Sequence, residues 1–158
     1  MLVVVLLAGC EREAPAPPSP GQTLEAAAVR AGIVVDPATA PLAGSWARES
    51  GRVCVVPGTG GGEMRIGALV DYGEGQRCAA SGTLTRRGET LKVRFGDCRF
   101  DARFDGERIG FPAELPAECQ SLCTGRASLD ALEVDRLSSS VSEAATLRTP
   151  SGRSLCPD

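Results

Sequence analysis

Cysteine is the residue type that offers this chain the most chemistry. Among its 158 residues are seven cysteines, and one of them, Cys10, ends an apolar run at the N-terminus. An even number of remaining cysteines in a small domain indicates a disulfide framework more often than a metal site. The six candidates for disulfide bonds are Cys54, Cys78, Cys98, Cys119, Cys123 and Cys156.

Six cysteines can pair in many ways, and the sequence alone does not choose among them. We favour pairs that close locally, with the last pair fixing the C-terminal segment. Each disulfide would contribute about 2–4 kcal/mol, which is comparable with the net stability of a small domain. The favoured pairs are Cys54 with Cys78, Cys98 with Cys119, and Cys123 with Cys156.

In the segment Cys119-Gln-Ser-Leu-Cys123, two cysteines enclose three residues, and such a pair could belong to a metal or redox site. Copper and zinc sites of this spacing usually add a histidine, and the chain contains none. Catalytic redox pairs usually enclose two residues instead of three. We therefore predict that both cysteines belong to structural disulfides and that the protein binds no metal and no other cofactor.

The absence of histidine also restricts the possible catalysis. It removes the commonest general base near neutral pH, and it excludes serine or cysteine nucleophiles that an imidazole activates. A pair of carboxylates could still act, as in glycoside hydrolysis. Aromatic residues make up only 4% of the chain, so few side chains could stack on a sugar, and we expect solvated strand faces and no enzyme activity. The carboxylates concerned are Asp71, Glu74, Asp101, Asp105 and Glu107.

The overall charge argues against nucleic acid as a partner. The formal net charge is -3, because Asp and Glu outnumber Lys and Arg. Such a chain has no basic field that would attract phosphate backbones.

The apolar run at the N-terminus ends in Leu7-Ala8-Gly9-Cys10. This ending resembles the lipobox of bacterial lipoproteins, in which a peptidase cleaves before the cysteine and its thiol receives a diacylglycerol. A buried strand that ends in cysteine is the alternative. The run is short and has no preceding Lys or Arg, so we expect a translation start further upstream. The resemblance implies a signal peptide, a lipid on Cys10 and attachment to a membrane of the bacterial cell envelope; Glu11 favours the outer membrane, facing the periplasm.

Four segments follow along the chain. Residues 1–9 would be the signal peptide, and residues 10–22 a Pro-rich tether that forms neither helix nor strand. Residues 23–41 would contain a linker and a short helix that Thr23 caps and Gly32 stops. Residues 42–158 would form a single disulfide-braced β domain.

Alternation of apolar and polar residues dominates residues 42–158. Leu91, Val93 and Phe95 alternate with basic residues, and Asp105-Gly106 is the two-residue signal of a tight hairpin. Successive strands at this spacing predict a mainly β fold, either a small antiparallel barrel or a sandwich.

Two further elements are expected near the C-terminus. The apolar residues of segment 126–137 fit neither the helical nor the strand period cleanly, and we interpret the segment as a strand with a bulge. Ser140 and Glu143 have the spacing of a capping box, which predicts a short helix. Short helices would then lie near both ends of the mainly β chain.

The segment Leu42-Ala43-Gly44-Ser45-Trp46 resembles the opening of small barrel proteins that inhibit secreted metalloproteases, and its Gly-x-Trp is similar to the lipocalin motif. The resemblance implies a small barrel in which Gly44 permits close chain approach and Trp46 plugs one end; a plain core role for Trp46 is the alternative. It also implies an inhibitory activity and a disulfide near Cys54 and Cys78. The four further cysteines and the extension after Cys119 depart from that family.

We therefore expect a non-enzymatic binding or inhibitor module of the cell envelope. It would be a monomer that binds an envelope or secreted protein through loops at one rim, with Tyr72 and Glu74 as contact residues. The alternatives are a structural or assembly lipoprotein of the outer membrane and a carboxylate-dependent envelope hydrolase. The candidate loops are Pro57–Glu63, Asp71–Arg77 and Pro112–Gln120.

Overall fold

The computed structural model describes residues 17–158. The chain divides into two compact units, Met1–Val34 and Val35–Asp158. Cys10, the lipobox and most of the predicted tether lie outside the described residues, so the predictions made for them stay predictions.

The helix of the first unit, α1 (Pro20–Arg30), starts earlier than predicted. Its N-cap is Ser19 and not Thr23. The Ser19 hydroxyl accepts from the backbone N–H of Gln22 (3.3 Å), and the Gln22 side chain accepts from the N–H of Ser19 (2.8 Å). Proline is tolerated in the first helical turn because its missing N–H would have no partner there. The prediction that no residue up to 22 is helical is therefore wrong for residues 20–22.

The end of α1 agrees with the prediction that Gly32 stops the helix. Gly32 has a left-handed backbone with a φ of +68°. Its N–H donates to the carbonyl of Val29, and the N–H of Ile33 donates to the carbonyl of Ala28, both at 3.0 Å. These two bonds form a Schellman motif, in which glycine is favoured because an L side chain is strained at positive φ.

The second unit is built on antiparallel strands that close into a barrel, which confirms the mainly β prediction. Its strands are β1 (Gly44–Arg48), β2 (Gly51–Pro57), β3 (Glu63–Asp71), β4 (Arg77–Arg87), β5 (Thr90–Phe95), β6 (Cys98–Phe104), β7 (Arg108–Gly110), β8 (Cys123–Thr124) and β9 (Glu133–Ser138). Eight of them form the ring, in the order β1-β2-β3-β4-β5-β6-β7-β9. β9 closes it by pairing with both β1 and β7, and β8 pairs with the first residues of β4.

Each hairpin reverses the chain, so the connections alternate between two ends of the barrel. We call them the entry end, where segment 35–43 leads into β1, and the far end. The entry end also carries residues 58–62, 88–89 and 105–107. The far end carries residues 49–50, 72–76 and 96–97 together with the long segment 111–132. This segment includes a 3-10 turn (Ala117–Leu122) and β8.

Side chains that point inwards fill the barrel. Burial alternates along β5 and β6 with the period of two that the sequence predicts. Trp46, Phe104, Leu84, Leu91 and Ile109 are at most 1% exposed and form part of one continuous apolar cluster. The core therefore occupies the space that a ligand would occupy in a hollow barrel.

A C-terminal arm, residues 139–158, covers the outer face of β2 and β3. It contains the helix α2 (Val141–Thr146), and Ala144 and Leu155 pack on Val56 and Leu69 in a second buried cluster. The Ser81 hydroxyl of β4 donates to the carbonyl of Leu155 (2.8 Å). Because the arm covers their outer face, residues 53–56 of β2 are buried on both faces, and all four are apolar.

The two C-terminal elements were predicted in outline. α2 is confirmed, and the Ser140 hydroxyl accepts from the N–H of Glu143 (3.3 Å). The predicted strand with a bulge is shorter than expected, since β9 starts only at Glu133. Its bulge lies at Leu137, where the pairing with β1 skips one residue, and this side chain is 67% exposed.

The six cysteines of the second unit form three disulfides, as predicted, but two of the predicted pairs are wrong. Cys98–Cys119 is confirmed. Cys54 pairs with Cys156 instead of Cys78, and Cys78 pairs with Cys123. The three bridges are nested, with sequence separations of 102, 45 and 21 residues.

Strand geometry explains the two wrong pairs. The Cys54 side chain belongs to the outer cluster beneath the arm, whereas that of Cys78 belongs to the interior. Side chains on opposite faces of a sheet cannot reach each other. The two cysteines are also displaced along the strands. Cys54 pairs with Gly67 of β3, and Gly67 pairs with Ser81 of β4, which lies three residues from Cys78.

Candidate functional site at the far end of the barrel

The entry end of the barrel is closed by aromatic rings beneath two guanidinium groups. Trp46 is 0% exposed, which agrees with both the plug and the core interpretations of this residue. Its ring meets Phe104 edge-on at 5.7 Å, and its indole N–H donates to the carbonyl of Leu42 (3.2 Å). The guanidinium of Arg136 lies 4.1 Å from the Trp46 ring and that of Arg86 lies 4.7 Å from the Phe104 ring.

The same two arginines hold the segment that leads into β1. Arg86 donates to the carbonyl of Ala40 (2.7 Å), and Arg136 donates to the carbonyls of Pro41 and Gly106. Burial lowers the pKa of the Arg136 guanidinium, although the nearby negative charge of Glu107 acts in the opposite direction. The carbonyls and the aromatic face around this partly buried guanidinium offset part of the cost of its desolvation.

Gly44 behaves as the resemblance implies. A Cβ at this position would lie 2.1 Å from the carbonyl oxygen of Ser138. Only glycine therefore permits the start of β1 to approach the end of β9 this closely.

The far end is covered by segment 111–132, which two disulfides hold in place. Cys98–Cys119 fixes its 3-10 turn to β6, and Cys78–Cys123 fixes β8 to β4. Leu129 is 1% exposed and joins the main core. With both ends covered and the interior filled, the surface that is open to another molecule is the outside of the barrel.

The loop between β3 and β4 presents Tyr72, the only tyrosine of the chain, at the far end. The side chain is 61% exposed, although tyrosine carries a large apolar ring. The loop is closed by bonds from the N–H of Tyr72 to the carbonyl of Gln76 (3.0 Å) and from the N–H of Gln76 to the carbonyl of Gly73 (2.8 Å). The Thr124 hydroxyl of β8 donates to the carbonyl of Gly75 (2.6 Å). The tyrosine thus stands on a loop that is already ordered.

A cleft with a volume of about 240 Å³ lies beside Tyr72. Its other walls are the β1–β2 hairpin, residues 48–51, and residues 128–133 of the covering segment. Glu49 and Ala131 have positive φ values of 49° and 53°. We call residues 71–77, 48–51 and 128–133 together the Tyr72 rim. Sequence reasoning singled out the first of these three segments and missed the other two, because nothing local in them indicates that they meet.

No protein-family model matches this chain. No curated protein and no solved structure matches it either.

The three loops that were predicted to share a rim do not all lie together. Segments 71–77 and 112–120 lie at the far end, and the Gly-rich segment 57–63 lies at the entry end. Tyr72 and Glu74 occupy the same loop, and Glu74 takes a positive φ of 50° at its tip. The structure thus brings two of the three predicted loops together.

The carboxylates considered for hydrolysis are dispersed. Asp71 and Glu74 lie at the far end, Asp105 and Glu107 at the entry end, and Asp101 on the outer face of β6. The Asp71 carboxylate accepts from the N–H of Gly73 (2.9 Å), and Asp101 lies 3.5 Å from the Lys92 ammonium. The five carboxylates are thus divided among three places, whereas a two-carboxylate mechanism needs two of them in one pocket.

An ion-pair network borders the Tyr72 rim. Arg48 and Arg108, on β1 and β7, each bond to Glu133 and Asp135 of β9 at 2.8–3.0 Å. Hydrogen bonds from Arg108, and then from Arg48, lower the pKa of the Asp135 carboxylate, while Asp135 and Glu133 raise the pKa of the Arg108 guanidinium. Arg48 and Glu133 also line the cleft, so the network fixes one of its walls.

Within residues 17–158, no three His, Cys, Asp or Glu side chains are grouped so that they could hold a metal ion. None of the helices in the same range is long and apolar enough to cross a bilayer.

Proposed function

We propose that this chain is a non-enzymatic binding or inhibitor module that captures a protein through the Tyr72 rim. The observation that carries the proposal is a 61% exposed tyrosine on a braced loop beside a cleft. Tyrosine is enriched among the residues that dominate binding energy at interfaces. A loop that is ordered before binding loses little conformational entropy when a partner arrives.

The proposed location is the bacterial cell envelope. A lipid on Cys10 would anchor the chain to the outer membrane, facing the periplasm. Three disulfides support an oxidising compartment. The chain leads into the barrel at the end opposite the Tyr72 rim, since the carbonyls of Ala40 and Pro41 are bound by Arg86 and Arg136.

The lipid anchor and the location are tested by labelling with radioactive palmitate. The wild-type chain should incorporate the label and sediment with membranes. Cys10→Ala should remain unlabelled and appear in the soluble periplasmic fraction. A wild-type chain that takes up no palmitate would contradict the lipid anchor but would leave the role of the Tyr72 rim open to its own test.

The role of the rim is tested by capture from envelope extract and from a panel of purified secreted hydrolases. Tyr72→Ala and Glu74→Ala in the Cys10→Ala chain should abolish capture and leave the melting temperature nearly unchanged, because both residues lie on an exposed loop. Leu137→Ala is the matched control, since it removes an equally exposed apolar side chain on β9. This control should capture the partner as the parent does.

Three outcomes distinguish the alternatives. Capture that survives Tyr72→Ala but fails with Leu137→Ala would move the binding surface to β9. Capture of a component of an outer-membrane machine would favour the assembly role. Turnover of a glycan or ester by the purified chain, without any captured partner, would replace the binding role by a hydrolase.

A further inference from the structure

The outer face of β4, β5 and β6 carries a groove with a volume of about 490 Å³. The C-terminal arm covers β2 and β3 and reaches β4 at Ser81, but none of its residues lines the groove. The Tyr72 rim lies at the far end of the barrel and contributes none of the walls either. The groove is therefore a second surface, and what it binds does not depend on the role proposed for the rim.

Two rows of outward-pointing side chains cross the groove, because the register of the strands places them side by side. In the first row, Thr83 of β4 pairs with Arg94 of β5, and Arg94 pairs with Arg99 of β6. The second row, read in the same strand order but starting on β3, consists of Glu63, Thr85, Lys92 and Asp101.

The two rows differ in how their charges are compensated. Lys92 and Asp101 have opposite charges and lie 3.5 Å apart. Arg94 and Arg99 have like charges, and like charges on directly opposite residues of neighbouring strands are unfavourable. In the part of the chain that the structure describes, Glu63 is the only carboxylate within 4.0 Å of Arg94, and no carboxylate lies that close to Arg99. The first row therefore holds positive charge that its neighbours do not neutralise.

The strand geometry brings the two arginines close together. The N–H of Phe104 donates to the carbonyl of Glu89 (2.7 Å), so Phe104 bonds on the β5 side, and so does every second residue of β6. Arg99 precedes Phe104 by an odd number of residues, which makes Arg94 and Arg99 a non-hydrogen-bonded pair. In such pairs the Cα atoms lie only about 4.5 Å apart, and the side chains are closer than in the hydrogen-bonded pairs. The two guanidinium groups can thus reach the same small anion.

We propose that the groove binds a sugar that carries a phosphate monoester, with the phosphate between Arg94 and Arg99. A guanidinium group donates paired hydrogen bonds to the oxygens of a carboxylate or a phosphate. A carboxylate has two oxygens and one negative charge, which suffice for one such group. A phosphate monoester has three terminal oxygens and a charge of about -1.5 to -2 at pH 7. It therefore neutralises both arginines at once.

The remainder of the groove fits a polar body. Its volume of about 490 Å³ lies in the usual range of small-molecule sites, roughly 300–1,000 Å³, and exceeds what a phosphate alone would fill. Thr83 and Thr85 offer hydroxyls that both donate and accept hydrogen bonds. The carboxylates of Glu63 and Asp101 accept, and the ammonium of Lys92 donates. Such a mixture of donors and acceptors matches the hydroxyl groups of a sugar.

The test measures binding to the full chain with Cys10→Ala. Glucose 6-phosphate is the soluble probe and is titrated in a calorimeter. Phosphatidylcholine vesicles with and without a glucosamine-phosphate lipid present the same chemistry as a lipid headgroup, and cosedimentation measures their binding. Binding of the soluble probe would assign a free sugar phosphate, and binding to the phosphate-bearing vesicles alone would assign a headgroup. A chain that binds neither would overturn the proposal.

Matched ligands test the part that charge plays. Glucose 6-sulfate has the same tetrahedral group with a single negative charge, so it should bind about tenfold more weakly or less, and unmodified glucose should not bind. Inorganic phosphate should also bind more weakly than glucose 6-phosphate, because it lacks the sugar. Equal binding of the sulfate would overturn the assignment of a phosphate monoester, and equal binding of inorganic phosphate would overturn the assignment of a sugar.

Variants of the two arginines test the position of the phosphate. Arg94→Gln and Arg99→Gln should each weaken binding by about tenfold or more, because each removes charge-assisted hydrogen bonds. Neither should lower the melting temperature, since each removes one charge of a like-charged pair. Arg103→Gln is the matched control: it lies on the same strand and face as Arg99 but outside the groove, and it should bind as the parent does. Binding that survives both groove variants, or that Arg103→Gln weakens equally, would overturn the proposal.

Discussion

Replacing both Cys54 and Cys156 by serine should destabilise the barrel more than replacing both Cys98 and Cys119. In the loop-entropy description of disulfides, the stabilisation rises with the length of chain that the bridge closes. The outer bridge spans 102 residues and the inner bridge 21. Cys78–Cys123 shortens the path of the outer loop to roughly 60 residues, for which the relation gives about 4.3 kcal/mol, against about 3.3 kcal/mol for the inner bridge.

The two variants form a matched comparison. All four cysteines are buried, with exposures of 0–3%, so the cost of placing serine hydroxyls in apolar surroundings is similar and cancels in the difference. The free energy of unfolding is measured in urea, with equal slopes against urea concentration as the check that both variants unfold in the same way. An inner-bridge variant that is as unstable as the outer-bridge variant, or more so, would refute the loop-length argument. Peptide mapping without reductant would independently refute the pairing itself if it linked Cys54 to Cys78.

Two further predictions concern the aromatic plug and the ion-pair network. Trp46→Ala should lower the free energy of unfolding by about 3–5 kcal/mol, because it empties a fully buried site. A loss below about 1 kcal/mol, measured by calorimetry, would mean that the ring is not part of the core. Hydrogen bonds from Arg108 and Arg48 hold the pKa of the Asp135 carboxylate below its ordinary value of 3.8. This carboxylate therefore stabilises the fold at any pH above 3.8, and its contribution is lost as the pH falls through its pKa in the folded state. Asp135→Asn should therefore melt below the wild type at neutral pH and converge with it in strong acid; a constant difference across the pH range would count against this assignment.

The strands of this mainly β fold could be predicted from the sequence because each strand depends on the pattern of neighbouring residues. Inward and outward positions alternate in β5 and β6 as the residue pattern indicates, and Gly32 and Ser140 act at the helix ends as their types suggest. Closure of the barrel, in contrast, depends on the pairing of β9 with β1. The sequence pattern contains no signal for that pairing, which is why a sandwich remained an equal possibility.

The disulfide pairs and the cleft depend on contacts between distant parts of the chain. The sequence-based prediction paired Cys54 with Cys78 because it favoured short loops. The strand face on which each cysteine lies decides instead which thiols can meet. In the cleft, Tyr72 was identified because its loop is rich in glycine and polar residues. Its neighbours in segments 48–51 and 128–133 are far away in the sequence, and their left-handed residues, Glu49 and Ala131, are of types that give no warning of such a backbone.

The nested arrangement of the disulfides has a consequence for biosynthesis. Ribosomes deliver the chain from its N-terminus, so Cys54, Cys78 and Cys98 emerge before any of their native partners. Until Cys119 follows, every bridge that an oxidase could make among them is non-native. The innermost bridge is the first that can close correctly, and the outermost is the last, since it has to wait for Cys156. Correct pairing therefore requires either that oxidation waits until the native partners have emerged or that an isomerase corrects the early bridges.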